Sequence, residues 1–335
     1  MLGRHLPWII MPSSLPHRPV SPPIVLSFAA SDPSGGAGIQ ADIMTLAALG
    51  CHPLTVITAL TVQDTAGVEG ILAIEDEWVS DQARTLLEDM PVAAFKLGML
   101  GSIENVVAIA SIVADYPDIP LVLDPVLASG RGDAFADEDM MAAIVQLLLP
   151  QTTLVTPNSL EARRLAQAID EVEAEAEESE EENEETAGSD GHGEDADSSS
   201  GRLPLPDCAR RLLDAGSEMV LITGTHEHTG PVINTLYGRQ GVVRSDRWPR
   251  LPGSYHGSGC TLASAIAAHL AHGRTVAEAV QAAQKYTWHT LAAGFRPGMG
   301  QFLPDRHFWA REAEDEGEGE GEVDAAEDEA HEDDA

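Results

Sequence analysis

Residues 253–261 read GSYHGSGCT and lead directly into the alanine-rich run 262–270, which has strong helix propensity. A glycine-rich turn before a helix leaves the first backbone N–H groups without intrahelical partners, and the helix dipole adds positive potential there. Glycines also remove the Cβ atoms that would keep a phosphate away from the backbone. The turn therefore predicts an anion site at residues 257–260, although a Gly-x-Gly turn taken alone is more often structural.

The rest of the chain alternates short apolar runs with helical patterns. The apolar runs, each interpreted as a strand, cover 24–30, 54–62, 93–97, 121–123, 154–156 and 219–223, with paired strands at 231–237 and 241–245. The helical patterns cover 39–49, 78–90, 104–114, 137–149, 159–169, 207–215 and 276–293. This alternation predicts an α/β fold with one doubly wound, mostly parallel sheet, and ligands beyond the carboxyl ends of its strands.

The negative charge of the chain is concentrated in two tracts. The net charge is −36 over 335 residues, and 29 of the 55 carboxylates fall within 170–197 and 312–335, which contain no Lys or Arg. The remaining 26 acids and 19 bases are an ordinary balance. Because such tracts cannot bury enough apolar surface to offset their ordering entropy, we expect disorder at about 170–201 and at 311–335.

The predicted organisation is a flexible leader at 1–22 and a single domain at 23–310 that carries the acidic insertion, followed by the acidic tail. The apolar run at 6–11 is too short for a signal peptide or a membrane span, so no membrane association is expected. The acidic balance argues against nucleic-acid binding, which needs a basic surface. Three widely spaced cysteines predict reduced thiols and a cytoplasmic protein.

Polar or glycine-rich segments follow several of the predicted strands. The loop at 31–38 has three glycines in four positions directly before a helix, which favours a ligand that the backbone must approach. Asp42 lies one turn into that helix, and Gln63 ends the next strand with an amide that offers a donor and an acceptor to a heterocycle. Spacing alone leaves both residues open between a structural and a binding role.

Oxygen-bearing side chains also lie at two neighbouring strand ends, at Asp124 and at Asn158 with Glu161. Mg²⁺ that binds with nucleotide phosphates uses few protein carboxylates and several waters, so this set is a candidate metal and phosphate site. Asn158 and Glu161 also fit a helix N-cap and its capping-box partner, and a cap and a site can coexist. His256, beside the anion turn, is interpreted as a packing or supporting residue rather than a base.

These motifs form an ordered set that spans residues 24–304. The set comprises SDPSGGAGIQAD (31–42), ITALTVQDT (57–65), KLGML (96–100), DPV (124–126), LP (149–150), TPN (156–158) with Glu161, and HGSGCTL (256–262). In this order the motifs resemble those of the hydroxymethylpyrimidine/phosphomethylpyrimidine kinases of thiamine biosynthesis, in the ribokinase-like superfamily. The resemblance implies ATP-dependent phosphorylation of 4-amino-5-hydroxymethyl-2-methylpyrimidine and then of its monophosphate, with Mg²⁺, by a homodimer.

The resemblance also implies a role for each candidate residue. Asp42 and Gln63 would bind the amino and ring-nitrogen edge of the pyrimidine. Gly38 and Met99 would shape its pocket, the N–H groups of Gly257, Ser258, Gly259 and Cys260 would bind the transferring phosphoryl group, and Asp124, Asn158, Glu161 and Thr223 would face the triphosphate, with Asp124 and Glu161 on Mg²⁺.

Two positions depart from what the superfamily commonly shows. Cys260 stands where sugar and vitamin kinases commonly have an aspartate base. A thiol at a helix N-terminus can have a lowered pKa, so a base role is one hypothesis, although positioning and charge stabilisation dominate phosphoryl transfer. Thr223 stands where many family members have a lysine that faces the ATP phosphates, so Arg131, Lys285 or Mg²⁺ would have to supply the charge.

Two other kinds of function stay open from the sequence alone. A pyridoxine or pyridoxal kinase would use the same type of pocket for a hydroxymethyl heteroaromatic ring. A non-catalytic pyrimidine-binding regulator, or a scaffold acting through its tails, would fit the missing lysine and the acidic tracts. Assays that compare the two substrates and measure ADP separate these hypotheses.

Overall fold

The computed structural model describes residues 21–128, 135–185 and 202–310. The predicted tail, all but the last two residues of the predicted leader, and the second half of the acidic insertion lie outside these ranges. Within them, no helix combines the length and the apolar character that crossing a bilayer would require.

Nine strands and eight helices occur in the described residues. The strands are β1 Ile24–Ser31, β2 His52–Gln63, β3 Val68–Ala73, β4 Val92–Leu97, β5 Leu121–Leu123, β6 Leu154–Val155, β7 Met219–Ile222, β8 Val232–Gly238 and β9 Gly241–Trp248. The helices are α1 Gly38–Ala48, α2 Asp76–Asp89, α3 Ile103–Ala114, α4 Glu138–Ala143, α5 Ser159–Glu185, α6 Leu205–Asp214, α7 Ser258–Ala271 and α8 Val276–Ala292.

All nine strands join one sheet in the order β3-β2-β1-β4-β5-β6-β7-β8-β9. The six strands from β2 to β7 in this order are parallel, whereas β3, β8 and β9 pair antiparallel with their neighbours at the two edges. The predicted α/β class with a mostly parallel sheet is confirmed. The carboxyl ends of the parallel strands therefore share one edge of the sheet, where a ligand is expected.

The sheet is buried on both faces, as the centre of a parallel sheet normally is. Alternate residues of β1 show this directly: Leu26 and Phe28 pack into one core, and Val25 packs into the other. The first core contains side chains from α2 to α6, and the second contains side chains from α1, α7 and α8.

The structure corrects three of the predicted elements. The helix predicted at 159–169 continues to Glu185 through the first half of the acidic tract, where disorder was expected. Alanine and glutamate favour helix, and extending a packed helix costs less than starting a new one. Strand β3 was missed because its Glu and Gly are poor strand formers. The helix predicted at 137–149 changes at Ala143 into a π turn and then a 3₁₀ turn that contains Pro150.

Candidate active site

Two glycine-rich turns, one before α1 and one before α7, pack directly against each other. Gly257 has a left-handed φ of +80°, and a Cβ there would collide with the carbonyl oxygen of Gly36. A Cβ at Gly36 would in turn overlap the ring of His256. Gly38 also has a positive φ, +57°, with the Ala30 carbonyl where a Cβ would stand. The close approach of the two turns therefore depends on glycine at positions 36 and 257.

The second turn places the start of α7 against a cavity. Gly257 is the N-cap of this helix, and residues 258–260 form its first turn, whose N–H groups have no intrahelical acceptors. All of these residues line a cavity of about 540 Å³ at the carboxyl edge of the sheet. The N–H groups and the helix dipole favour an anion at this point of the cavity wall.

Asp32 holds the loop before α1 in place. Its carboxylate accepts hydrogen bonds from the backbone N–H groups of Ser34 at 2.9 Å and Ala37 at 2.7 Å, and it lies 2.7 Å from Nε2 of His256. Although burial opposes it, these hydrogen bonds lower the pKa of Asp32, with His256 contributing most. Asp32 was quoted within the loop motif but was given no role from the sequence, because its partners become visible only in three dimensions.

The side chain of Arg306 also holds the loop before α1 in place. It is 3% exposed, and its guanidinium donates to the carbonyl oxygens of Gly35 and Gly36 and to the hydroxyl of Thr261 in α7. The guanidinium thus joins the two glycine turns through charge-assisted hydrogen bonds. Sequence reasoning missed Arg306, which lies beyond the last matched motif and has no spacing signal.

Eleven of the twelve predicted site residues line this one cavity, although they come from seven separate segments of the chain. They are Gly38, Gln63, Met99, Asp124, Asn158, Glu161, Thr223, Gly257, Ser258, Gly259 and Cys260. The twelfth, Asp42, does not line it.

Asp42 is fully buried and does not line the cavity, and its predicted contact with a pyrimidine stays a prediction. Its carboxylate lies 3.0 Å from Nζ of Lys96 and accepts a hydrogen bond from the hydroxyl of Ser264 at 2.6 Å. The helical spacing correctly turned Asp42 inward, but it could not reveal that a lysine 54 residues away would occupy the carboxylate. In the structure Asp42 is the counter-ion of Lys96.

Lys96 is the cation that Asp42 stabilises, and it lines the cavity although none of its surface is exposed. Burial alone would lower the pKa of Lys96, but the negative charge of Asp42, with Cys260 and Asp124 nearby, raises it. The ammonium group is therefore charged at neutral pH. Sequence reasoning quoted Lys96 in a motif and gave it no role, since a buried lysine is rarely recognisable without its partner.

Cys260 is buried beside this charged group, and its thiol does not have the lowered pKa that the base hypothesis requires. Burial raises the pKa of the thiol to about 12, because removal from water and the carboxylates of Asp124 and Asp42 outweigh the effect of Lys96. The sequence correctly predicts that Cys260 lies at a helix N-terminus, which favours a lower thiol pKa. It does not show the burial that raises the pKa instead. The thiol is therefore protonated at neutral pH.

Asp124 follows β5 and is 5% exposed. Its Oδ2 has no hydrogen-bond partner among the described residues, which is unusual for a buried carboxylate oxygen. Burial raises the pKa of Asp124, against the opposing effect of Lys96. A Cβ on Gly259 would lie 3.6 Å from Oδ1, so the carboxylate stands beside the anion turn.

Asn158 and Glu161 form the predicted capping box at the start of α5. Oδ1 of Asn158 accepts from the N–H groups of Leu160 and Glu161, and the N–H of Asn158 donates to Oε2 of Glu161 at 2.9 Å. Burial, followed by the charge of Asp124, raises the pKa of Glu161 to about 8. The cap and the cavity wall therefore use the same two side chains.

The carboxylates of Asp124 and Glu161 fit a divalent cation that is shared with phosphates. Both residues line the cavity, and Oδ2 of Asp124 has no hydrogen-bond partner among the described residues. A cation bound between them would lower the raised pKa values of both carboxyl groups. The described residues contain no cluster of three or more His, Cys, Asp or Glu side chains suited to a metal. Two carboxylates with waters and phosphates are the usual Mg²⁺ arrangement, so this absence agrees with the fit.

Of the cations suggested to replace the missing lysine, only Lys285 lies within the described residues, and it does not line the cavity. Thr223 lines it at the end of β7, whereas Lys285 is exposed on α8 and does not, and Arg131 lies outside the described residues. Among the described lining residues, the basic side chains other than histidine are Lys96 and Arg250.

Comparisons with known proteins agree with this geometry. A model of the phosphomethylpyrimidine kinase family matches residues 32–189 and 202–305. A hydroxymethylpyrimidine/phosphomethylpyrimidine kinase of Streptomyces coelicolor is 36% identical, over 88% of this chain and 98% of the relative.

Solved structures give the same picture of the fold. Pyridoxal kinase from Staphylococcus aureus in complex with pyridoxal has a TM-score of 0.71 at 25% identity, over 87% of this chain and 96% of that one. Phosphomethylpyrimidine kinase from Clostridium difficile 630 has a TM-score of 0.60 at 28% identity, over 79% of this chain and 97% of that one. The chain belongs to the phosphomethylpyrimidine kinase family, whose members are ATP-dependent phosphotransferases with the ribokinase-like fold.

Proposed function

We propose that the protein phosphorylates the hydroxymethyl group of 4-amino-5-hydroxymethyl-2-methylpyrimidine with ATP and then phosphorylates the resulting monophosphate, in thiamine diphosphate synthesis. The observation that carries this proposal is the convergence of eleven predicted site residues on one cavity. The names of curated relatives at 32–36% identity, from Streptomyces to Escherichia coli, support the same pair of reactions.

The cavity offers three neighbouring regions for the reactants. Gln63, with Gly38 and Met99, would bind the pyrimidine, and the N–H groups of 258–260 would bind the phosphoryl group in transfer. Asp124, Asn158, Glu161 and Thr223 would lie beside the triphosphate. Positioning and electrostatic stabilisation supply most of the catalysis in phosphoryl transfer, and the anion turn with buried Lys96 provides both.

Mg²⁺ would be held by Asp124 and Glu161. Bound there with ATP, the ion would neutralise charge on the phosphate oxygens. Because Glu161 has a pKa of about 8 and must lose its proton to bind a cation, the affinity for Mg²⁺ should rise with pH through that region.

Cys260→Ser is expected to keep kcat within about threefold of the wild type. A thiol whose pKa is about 12 is protonated at pH 7, so thiolate base catalysis contributes little to the rate. Initial rates of ADP formation at saturating substrates measure the effect, and Cys260→Ala tests whether any proton acceptor is needed. A loss of about 100-fold or more in both variants would restore the base hypothesis.

The assay that tests the proposed function measures ADP formation with Mg²⁺-ATP and three alternative substrates: hydroxymethylpyrimidine, its monophosphate and pyridoxal. We expect turnover of both pyrimidines and poor turnover of pyridoxal. The structural similarity to pyridoxal kinase makes pyridoxal the second candidate. Preferred turnover of pyridoxal would establish that alternative, and tight pyrimidine binding without ADP would indicate a regulator.

A homodimer and a cytoplasmic location complete the proposal. Leu60, Val62 and Leu72 are 45%, 63% and 64% exposed on the β2–β3 hairpin, where Leu60 and Leu72 are directly paired. Thr61 and Gln63 alternate with them and line the cavity, so this apolar face points away from the site. Exposed apolar patches of this kind support an interface with a second copy. Three free, buried cysteines support a reducing compartment.

Val62→Glu combined with Leu72→Glu is expected to convert the dimer into a monomer, because two charges would be buried without partners. Light scattering after size-exclusion chromatography should give a mass near 35.5 kDa for the variant and twice that for the wild type. Val242→Glu is the matched control, since Val242 is 61% exposed at the opposite edge of the sheet. A wild type of monomer mass would refute the interface.

A further inference from the structure

The side-chain amide of Gln63 lies between two polar neighbours in the cavity wall. Its Nε2 is 2.8 Å from Nε2 of His256, and its Oε1 is 3.2 Å from the hydroxyl oxygen of Thr61. All three residues line the cavity. An amide has a second orientation, rotated by about 180°, in which donor and acceptor exchange places. The hydrogens on the two neighbours decide between the orientations.

Those hydrogens are already committed. Nε2 of His256 lies 2.7 Å from the carboxylate of Asp32, which can only accept, so Nε2 carries a hydrogen and donates it to Asp32. The hydroxyl of Thr61 donates its single hydrogen to the Ser31 carbonyl at 2.8 Å. An N–H of the amide therefore has no acceptor at His256, and Oε1 has no donor at Thr61. Rotating the amide removes both mismatches, because the Thr61 oxygen can accept from the NH₂ group and Oε1 can share the Nε2 hydrogen of His256 with Asp32.

We propose that His256, held by Asp32, is a specificity-determining residue that turns the Gln63 amide with Oε1 toward His256 and its NH₂ group toward Thr61. Oε1 then shares the Nε2 hydrogen of His256 with Asp32 in a three-centre bond, and one amide N–H donates to the hydroxyl oxygen of Thr61. One N–H and one lone pair remain for the substrate. This inference rests on the proposed function, in which the aminopyrimidine binds at Gln63.

The fixed amide matches one kind of heterocycle. The amino group of a 4-aminopyrimidine donates to Oε1, and the adjacent ring nitrogen accepts from the amide N–H, so this edge forms two hydrogen bonds with Gln63. Pyridoxal carries a hydroxyl beside an aldehyde, and its ring nitrogen has only carbon substituents on either side. A site whose polar groups are held in place discriminates strongly against a ligand that leaves them unpaired. His256 would thus favour the aminopyrimidine over the pyridine.

The test must separate this role from packing, since the ring of His256 also packs against Gly36, where a Cβ would overlap it. His256→Phe keeps a flat ring but removes the donor, whereas His256→Gln keeps an N–H that can reach Asp32 or Gln63. The measured quantity is the ratio of dissociation constants for hydroxymethylpyrimidine and pyridoxal, from calorimetry on the full chain. Because binding needs no turnover, this ratio can be measured even if the protein proves not to be a kinase.

We expect His256→Phe to lower the preference for the pyrimidine by about tenfold or more, and His256→Gln to stay within about threefold of the wild type. The KM for ATP should not change in either variant. An equal loss of affinity for both ligands in His256→Phe would show packing alone and overturn the proposal, as would an unchanged ratio. Failure of the proposed function would appear separately, as absent or pyridoxal-preferring turnover in the wild type.

A spectroscopic measurement tests the hydrogen count directly. Long-range ¹H–¹⁵N spectra of the labelled protein at pH 7 distinguish a protonated from an unprotonated ring nitrogen, and the His256→Gln spectrum identifies the signals of His256. We expect Nε2 to be protonated. An unprotonated Nε2 would allow the Gln63 amide to donate to it and would overturn the proposed orientation.

Discussion

Replacing Asp42 by Asn is expected to lower the free energy of unfolding by about 3 to 5 kcal/mol, the usual effect of removing one partner from a buried ion pair. Asp42 and Lys96 are both fully buried, with Nζ of Lys96 3.0 Å from the carboxylate. Asn keeps the shape and an acceptor for the hydroxyl of Ser264 but leaves the ammonium group without its nearest counter-charge. Urea unfolding followed by tryptophan fluorescence measures the change.

Two further variants show whether the effect comes from the buried charge. Asp115→Asn breaks the exposed pair of Asp115 with Arg84, which is 3.2 Å long with side chains 57% and 48% exposed, and should cost less than about 1 kcal/mol. Combining Asp42→Leu with Lys96→Met removes both buried charges and should recover most of the stability. A cost below about 1 kcal/mol for Asp42→Asn would mean that the pair contributes no more than a surface one.

Asp124→Asn is expected to lower kcat by at least about 100-fold, which corresponds to about 3 kcal/mol of lost transition-state stabilisation. The substitution removes the charge of the proposed Mg²⁺ ligand while it keeps the size of the side chain. Initial rates at saturating ATP and pyrimidine, repeated over a range of Mg²⁺ concentrations, measure the effect. Full activity at ordinary Mg²⁺ concentrations would remove Asp124 from the proposed metal site.

The same variant should be at least as stable as the wild type at pH 7. The pKa of Asp124 is raised in the folded protein, so its ionised form opposes folding above the ordinary pKa of aspartic acid. Removing the charge relieves that cost, and the advantage should vanish below about pH 4, where Asp124 is protonated in both states. Thr275→Ala, which removes the capping box of α8, is the opposite control, with a loss of about 1 kcal/mol and normal kcat.

The parallel sheet could be predicted because its strands are short apolar runs separated by glycine, proline and polar residues. These signals are local, and β1, β4 and β5 begin and end within about two residues of the prediction. Strand β3 lacks them, since it is an edge strand whose partner and turn, and not its composition, hold it in place. The acidic part of α5 is rich in alanine and glutamate, which favour helix. Its high charge nevertheless predicted disorder, because the sequence does not show that a packed helix precedes it.

The candidate site could be predicted as a set of residues, but not its electrostatics. Glycine turns and strand-end carboxylates carry local signals, and they meet in the cavity because parallel strands end at one edge. Contacts across long stretches of chain decide the rest. Lys96 forms an ion pair with the carboxylate of Asp42, and Arg306 joins the two glycine turns. Burial raises the pKa of Cys260, although a helix N-terminus alone would lower it. No spacing rule encodes those distances.

The length of α5 affects how unfolding of this protein should be monitored. An α-helix rises 1.5 Å per residue, so its 27 residues extend about 40 Å, and the last 16 form a section about 24 Å long. Residues 173–177 in that section are all exposed, so tertiary packing does not stabilise them. Such a section melts gradually by a helix–coil process, whereas the packed sheet and helices unfold cooperatively. Far-ultraviolet circular dichroism should therefore show a sloping loss of helix before the sharp transition, and its midpoint should not coincide with that from tryptophan fluorescence.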